Sequence, residues 1–509
     1  MTQSASLLTR TARFLESHGI AAYVVGGAVR DRVLSLPVQP DAGSEDIDLL
    51  LTSPVAALVD SLADETGSTA IVLDDERGFV RLVDPSDEHK WLDLAVAYGD
   101  IEADLARRDF TINAMAVPLQ DWVSRADDAP IDDAVIDFNA GMTDLRQSII
   151  RESSPGNLLD DPIRILRAVR FATQLEFEIE PTTASVVSDN GELLAEASPE
   201  RVRDEFFKMM ASHRPDWGIR EMDRLGLLEV LLPELTEGRE FTQRGMHYYD
   251  VMEHELHALC VGARLMNGER RSSDPFLKHV PWHPEFDEYF REIVGDGQTR
   301  ATLVKTVAML HDIGKPGTMT IESPSEKAPN GKIRFLGHGE LGAQMATNFL
   351  TRLRCSRRTI AHVSLMIEEH LRPFQMSNGT DPPTGRAIFR YFRDVSPVAV
   401  DTVMLSVCDY ASTSGPLLNG ANFERYSAML SDILTRGLEP EPQHSTTEDL
   451  LLNGHQVQER FGLQPGPEIG RLLGALRDGE SSGVVRTKAE ANELLARLLG
   501  RAASRRGRL

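Results

Sequence analysis

Short apolar runs punctuate the first third of the chain. They are Ala22-Tyr23-Val24-Val25, Ile47 to Leu51, Thr69 to Leu73, Phe79 to Val83 and Trp91 to Val96. Runs of this length, rich in β-branched and aromatic residues, predict strands. Helical stretches lie between them, so residues 1–150 read as a small α/β domain. From 151 the pattern turns helical. Ser198-Pro199-Glu200 predicts a helix start, with Ser as the N-cap and Pro at the first helical position. Residues 246–415 stay mostly helical and gather histidines. Residues 416–509 hold a further helical segment and a basic tail. The polar stretches 267–300 and 319–334 contain Pro, Gly and Ser and predict loops. The reading divides the chain at 1–150, 151–245, 246–415 and 416–509, with no internal repeat.

Composition changes this picture little. The 509 residues imply about three to five domains. Apolar residues at 41 % and charged residues at 26 % are ordinary for a globular protein. No run approaches the ~20 apolar residues that span a bilayer, and Met1 to Arg10 lacks a signal-peptide pattern. Cys260, Cys355 and Cys408 lie far apart. The expectation is a reducing cytoplasm, with no disulfide framework and no zinc–thiolate site. The net charge of −24 argues against a general nucleic-acid coat, because phosphate binding needs positive charge. An RNA enzyme of this charge must concentrate its arginines. Arg501, Arg505, Arg506 and Arg508 do so at the C-terminus, although a solvated tail is the simpler reading.

Charge becomes informative where it meets the strand pattern. Val24-Val25-Gly26-Gly27-Ala28-Val29-Arg30-Asp31 runs from an apolar strand through two glycines into a helical pattern. Gly26 and Gly27 let backbone approach a ligand, the helix start offers N–H groups to an anion, and Arg30 adds a cation. In Glu45-Asp46-Ile47-Asp48-Leu49-Leu50-Leu51, alternation puts Asp46 and Asp48 on one face and Ile47, Leu49 and Leu51 on the core face. Paired carboxylates on one strand face suit Mg²⁺. Two such ions can clamp a triphosphate and activate a 3′-hydroxyl. Asp93, in Trp91-Leu92-Asp93-Leu94, is the candidate third carboxylate.

Downstream lies Arg107-Arg108-Asp109-Phe110-Thr111-Ile112-Asn113-Ala114-Met115-Ala116. Gly-Gly-x-Val-Arg-Asp, Asp-x-Asp and this block, in this order, resemble the class II tRNA nucleotidyltransferases and their poly(A) polymerase relatives. Ile136-Asp137 to Gly141 resembles that family's next motif. Asp160-Asp161-Pro162-Ile163-Arg164-Ile165-Leu166-Arg167 resembles its nucleotide-selecting motif, and Glu200-Arg201 to Lys208 its neck helix. The resemblance implies catalytic Asp46, Asp48 and Asp93. It also implies nucleotide binding by Gly26, Gly27, Arg30, Arg107, Arg108, Asp109, Asn113, Asp161, Arg164 and Arg167. Asp161 and Arg164, spaced i and i+3, are read as sharing a helix face. A carboxylate accepts from the exocyclic amine of C or A, and a guanidinium donates to the adjacent ring acceptor. Uracil and guanine mismatch both. Two departures stand out. Asp160 sits where family members often have Glu. Only Leu94 to Glu102 separate the Asp93 strand from the next helix, where CCA-adding members carry a long polar loop. In this family the loss of that loop goes with enzymes that stop after CC.

His311-Asp312 follows the apolar stretch Leu303 to Leu310, an arrangement that resembles the HD domain of metal-dependent phosphohydrolases. The matching partners are His254, His338, His370 and Asp409. Imidazoles and carboxylates together can hold one or two divalent transition-metal ions and generate a hydroxide nucleophile. His257 and His362 read as structural. Leu451 to His455 and Gly462 to Gly470 resemble the C-terminal segment of HD-containing CCA enzymes.

The expected fold is α+β and multidomain: a polymerase-β-like nucleotidyltransferase head, an all-α neck, an HD-type helical domain and a helical tail. The expected partners are the tRNA 3′ end, CTP and ATP, with Mg²⁺ in the head and no membrane. One rival is a poly(A) polymerase, whose bacterial members usually carry a basic–aromatic motif near residues 76–83. Here that stretch, Glu76 to Val83, lacks paired basic residues. The other rival is an HD phosphohydrolase acting on RNA ends or nucleotides.

Overall fold

The computed structural model describes residues 6–35, 46–54, 56–74, 78–126, 128–243, 247–323, 332–376, 382–438, 450–481 and 484–506. The side chains of Asp46, Arg501, Arg505 and Arg506 lie outside this description, as do Glu45, Glu76, Arg77 and Arg508 altogether. The chain forms two compact units. The first comprises residues 1–209 with 217–231, the second 210–216 with 232–509.

The first unit is built on strands β1 (Ala22–Val25), β2 (Asp46–Leu51), β3 (Thr69–Asp74), β4 (Phe79–Asp84), β5 (Asp87–Val96), β6 (Met115–Pro118) and β7 (Ile136–Asp137). They form one sheet in the order β3-β4-β5-β2-β1-β6-β7. Each predicted run became a strand. β2 and β5 pair in parallel, while β1 runs antiparallel to both β2 and β6. The alternation in β2 works as expected for Leu49 and Leu51, which are buried. Leu50, on the acidic face, is buried too. It packs with Val25, Leu105, Ala114 and Ala116 in a second cluster. The helix Ile101–Ala106 supplies Leu105 to that cluster, so the carboxylate face is only partly open to solvent. A lone strand pattern does not reveal a cover brought in from fifty residues downstream.

The helix Ile163–Leu175 buries most of its length. Its first residue is Ile163, so Asp161 precedes the helix and does not share a helical face with Arg164. Pro162, which has no N–H to give, marks the boundary. The helix Pro199–Ala211 begins where Ser198 was expected to cap it, and Ser198 Oγ accepts from the Arg201 amide at 3.4 Å.

The second unit centres on the helices Val251–Leu265, Arg300–Leu310, His338–Arg352, Arg357–Glu369 and Ala399–Thr413. Arg300–Leu310 is buried on nearly every face, as a central helix must be. The first of the two stretches expected as loop is in fact structured. Residues 267–300 hold the helices Gly268–Ser273 and Glu285–Arg291 and a small hairpin. Trp282, Phe286 and Phe290 recur every four residues in that stretch, and Trp282 stacks on Phe290 at 5.4 Å. Aromatic anchors at helical spacing outweigh the polar composition around them. Thr320–Ile321 pairs with Ile333–Arg334. The C-terminal helices bury Leu452, Val457, Leu472, Leu476, Ala491 and Leu495 together. Asn453 and Gln456 cap the first of them reciprocally.

Candidate nucleotidyl-transfer site and histidine cluster

Asp48 and Asp93 are direct partners across the parallel β2–β5 pair, so their side chains share a face. β1 ends beside them, with Val25 opposite Asp48. Gly26 follows at φ +75°, a conformation L side chains rarely adopt. A Cβ there would lie 3.2 Å from Arg108 Nη1 and 3.6 Å from Asp48 Oδ2. The glycine turn, Asp48 and Arg108 therefore converge. Asp46 is two residues from Asp48 on the same strand and pairs with Trp91; its side chain lies outside the described residues.

Asp93 carries a partner that single-strand reading missed. Arg81, opposite it on β4, donates through Nε and a terminal nitrogen to both carboxylate oxygens at 2.7 Å. The same guanidinium lies over the Trp91 ring at 4.9 Å. Only the β4–β5 register makes this pair visible.

The residues implied in nucleotide binding divide into two groups. Arg30, Asn113, Asp109 and Arg167 form one internal network. Arg30 Nη1 donates to Asn113 Oδ1 at 2.8 Å, and Asn113 Nδ2 donates to Asp109 Oδ1 at 3.1 Å. Arg167 grips Asp109 Oδ2 at 2.6 Å and reaches Glu205 at 3.4 Å, which also binds Arg170 at 2.7 Å. Burial favours a neutral Asp109, but the Arg167 charge and the hydrogen bonds from Asn113 and Arg167 outweigh it and hold the carboxyl below the usual range. These side chains tie the helix Gly27–Val33 and the turn at 111–113 to the helices Ile163–Leu175 and Pro199–Ala211.

The second group is more open. Arg107 lies over the ring of Tyr98 at 4.0 Å, and Tyr98 is 64 % exposed. Arg164 Nη1 donates to the Asn157 carbonyl at 2.8 Å. Asp161 accepts from Arg201 at 3.0 and 2.7 Å. Burial works to raise the Asp161 carboxyl, and the Arg201 hydrogen bond and charge hold it below its usual range. The connection between β5 and the helix Ile101–Ala106 is residues 97–100 alone.

In the second unit the six predicted ligands meet. His254, His311 and Asp409 offer donor atoms within 4.8 Å of one another, and so do Asp312, His338 and His370. Asp312 stands between the two sets. Its Oδ2 lies 3.4 Å from both His254 Nε2 and His311 Nε2. Its Oδ1 lies 3.4 Å from His338 Nε2 and 3.7 Å from His370 Nε2. Oδ1 is buried and accepts no hydrogen bond, as expected of an oxygen placed for a cation. Neutral imidazoles and carboxylates are a donor set that suits a divalent transition metal. The helix ending at Leu310 delivers His311-Asp312 here because Gly314 permits close approach. A Cβ on it would stand 2.3 Å from the His338 carbonyl.

Burial pushes the His370 imidazole down to about 4. Burial also disfavours a charged His254, yet Asp312 and Asp409 raise it. Sequence reading missed Lys315, which pairs with Asp312 and donates to Gln243 at 2.5 Å. It also missed Glu255, whose Oε1 accepts from the Asp312 amide at 3.2 Å. Lys315 follows Asp312 by three residues, and that spacing is its signal in the sequence. Glu255 carried no signal beyond its place next to His254. His257 stacks on Tyr249 and His362 lies by Asp401, both away from the six.

A strand–Gly-Gly–helix turn facing carboxylates on two adjacent strands is the architecture of a polymerase-type nucleotidyltransferase head, in a chain that also carries an HD-type histidine–aspartate cluster. The comparisons agree. Residues 22–151 match the Poly A polymerase head domain, 176–238 the probable RNA and SrmB-binding site of polymerase A, and 285–413 the HD domain. An A-adding tRNA nucleotidyltransferase of Deinococcus radiodurans is 31 % identical over 94 % of this chain and 95 % of its own. A CC-adding tRNA nucleotidyltransferase of Thermus thermophilus is 30 % identical over 93 % of each. The solved CCA-adding enzyme of Thermotoga maritima, complexed with tRNA, superimposes with a TM-score of 0.58 at 21 % identity, over 97 % of this chain and 95 % of that one. This chain belongs to the tRNA nucleotidyltransferase family.

Proposed function

We propose that the protein adds C to the 3′ end of tRNA from CTP, stopping after CC, and that its second unit is a separate metal-dependent phosphohydrolase centre. Nucleotide addition to tRNA 3′ ends is the activity of the relatives matched over nearly the whole chain. The observation that carries the transfer reading is the meeting of Asp48, Asp93, Gly26 and Arg108. The tRNA 3′-oxygen attacks the α-phosphorus of CTP, and the bond to pyrophosphate breaks. Asp46, Asp48 and Asp93 would hold Mg²⁺, which neutralises phosphate charge and lowers the pKa of the attacking hydroxyl. Arg108 and the amides after Gly26 would receive the triphosphate. Asp161 and Arg164 would read the base edge. The Arg30–Asn113–Asp109–Arg167 network would keep these parts in register.

The restriction to CC rests on the four-residue connection at 97–100, which leaves no flexible loop to reset the site for ATP. Purified protein would be offered tRNA lacking CCA with CTP alone, ATP alone and both. Two added nucleotides with CTP, and none more when ATP is present, is the expected product. A full CCA product would overturn the restriction. Addition of A alone, to tRNA ending in CC, would make the protein A-adding.

A specific observation favours the second activity: the Asp312 carboxylate lies within 3.7 Å of histidine nitrogens from both donor sets. His254, His311 and Asp409 would hold one divalent ion and His338 and His370 a second, with Asp312 reaching both. Such ions supply a hydroxide nucleophile at neutral pH. Absence of phosphatase or phosphodiesterase activity with Mn²⁺, Ni²⁺, Co²⁺ and Mg²⁺ would leave this unit as an RNA-binding body.

A further inference from the structure

Arg164 is a long side chain with five N–H donors, and a base reader of that kind discriminates only if its guanidinium is held in one direction. What holds it is the backbone carbonyl of Asn157, at 2.8 Å from Nη1. Asn157 is itself buried. Its side-chain amide donates to the carbonyls of Ala106 at 2.6 Å and Arg108 at 3.0 Å, and approaches Ser153 Oγ at 2.8 Å. Ser153 adds its own hydroxyl to the Arg108 carbonyl. Those carbonyls belong to the turn that closes the helix Ile101–Ala106, the helix entered through the short connection. Asp100 caps that helix by accepting from the Ala103 amide at 2.9 Å, and Asp104 accepts from the Tyr98 amide at 3.1 Å. The turn is thus fixed on one side by residues 97–104 and on the other by Asn157.

We propose that Asn157 is the positioning residue for base choice. Through its side chain it fastens the turn at Ala106–Arg108, and through its carbonyl it seats Arg164. The carbonyl that receives Arg164 and the amide that fastens the turn belong to one residue, so loosening Asn157 disturbs both. The same contacts link residues 97–104, through the turn, to the seat of Arg164. The inference rests on the reading of Arg164 as a base contact.

The test is the ratio of kcat/KM for UTP to that for CTP, on tRNA lacking its end. Asn157→Ala and the isosteric Asn157→Asp, which keeps the shape but loses the donors, should each raise this ratio about tenfold. Neither should raise it further in an Arg164→Ala background, because the residue to be positioned is gone. A general loss of structure would lower both rates and leave the ratio alone. Thermal melting identifies folded variants. Should either fail to fold, Ser153→Ala loosens the same carbonyl and carries the same direction of change. Folded variants with a ratio within about twofold of wild type would overturn the proposal. If Arg164→Ala is itself as selective as wild type, the base-reading assignment falls and takes this one with it. If Arg164→Ala is unselective while the Asn157 variants stay selective, only the positioning role is lost.

Discussion

Asp109→Asn isolates the network that joins the head to its supporting helices. The substitution keeps the side chain's shape. The remaining oxygen can still accept from the Phe110 amide and from Asn113, as Asp109 Oδ1 does at 2.8 and 3.1 Å. The other position changes from an acceptor to an N–H₂ donor, and it then faces the Arg167 guanidinium that binds there at 2.6 Å. Removing one partner of a buried pair costs about 3–5 kcal/mol. Here the Arg167 side chain is 30 % exposed and keeps Glu205 at 3.4 Å, so solvent and the second carboxylate offset part of the loss. About 2 kcal/mol remains. For a unit of about 220 residues, that lowers Tm by ~4–8 °C.

The pH dependence gives a second handle. The folded Asp109 carboxyl lies below its unfolded value, so its stabilisation is present above about pH 4 and lost as pH falls through the folded pKa. The gap between wild type and variant should therefore close on acidification below about pH 4. Scanning calorimetry between pH 3 and 7 measures both effects. A variant melting within about 1 °C of wild type at pH 7 would refute the assigned role of the pair, and so would a gap that stays constant through acid.

Further outcomes concern the two centres. Asp46→Ala and Asp48→Ala should each abolish CTP incorporation without lowering Tm, since each removes several kcal/mol of transition-state stabilisation; near-normal incorporation by either would remove that residue from the site. Arg81→Gln frees both Asp93 oxygens from a competing cation, so the Mg²⁺ concentration for half-maximal incorporation should fall several-fold. An unchanged Mg²⁺ requirement would take Asp93 out of the ligand set. His311→Ala and Asp312→Ala should eliminate metal bound by the second unit, read by elemental analysis after loading with Mn²⁺ or Ni²⁺, while CTP incorporation persists. Equal metal content in wild type and variants would disprove the shared-carboxylate assignment.

Among the described residues, no helix is long and apolar enough to cross a membrane. That feature follows from composition. So do the strands of the head, because five apolar runs of strand length sit between turn-forming residues. The pairing of Gly26-Gly27 with the Asp46/Asp48 strand was legible for the same reason: local geometry places alternate residues on one face whatever the rest of the chain does. The six candidate ligands of the second unit were legible one by one as residue types.

What only tertiary structure decided is which groups answer each other. The Arg81–Asp93 pair depends on strand register, and the Arg201–Asp161 pair on a contact forty residues apart. The burial of Leu50 depends on a helix returning over the acidic face. Residues 267–300 looked like loop because their polar content hides three aromatics at helical spacing, and only packing shows that these anchors prevail. Asp161 fell outside the helix because a proline sets the boundary one residue later. The placing of Asp312 between two pairs of histidines is a matter of a few ångströms among five elements, and Asn157 acquires its place from carbonyls fifty residues away. Local sequence dictates the direction of a side chain relative to its own strand or helix. The partner it meets is set by long-range packing, which no local pattern encodes.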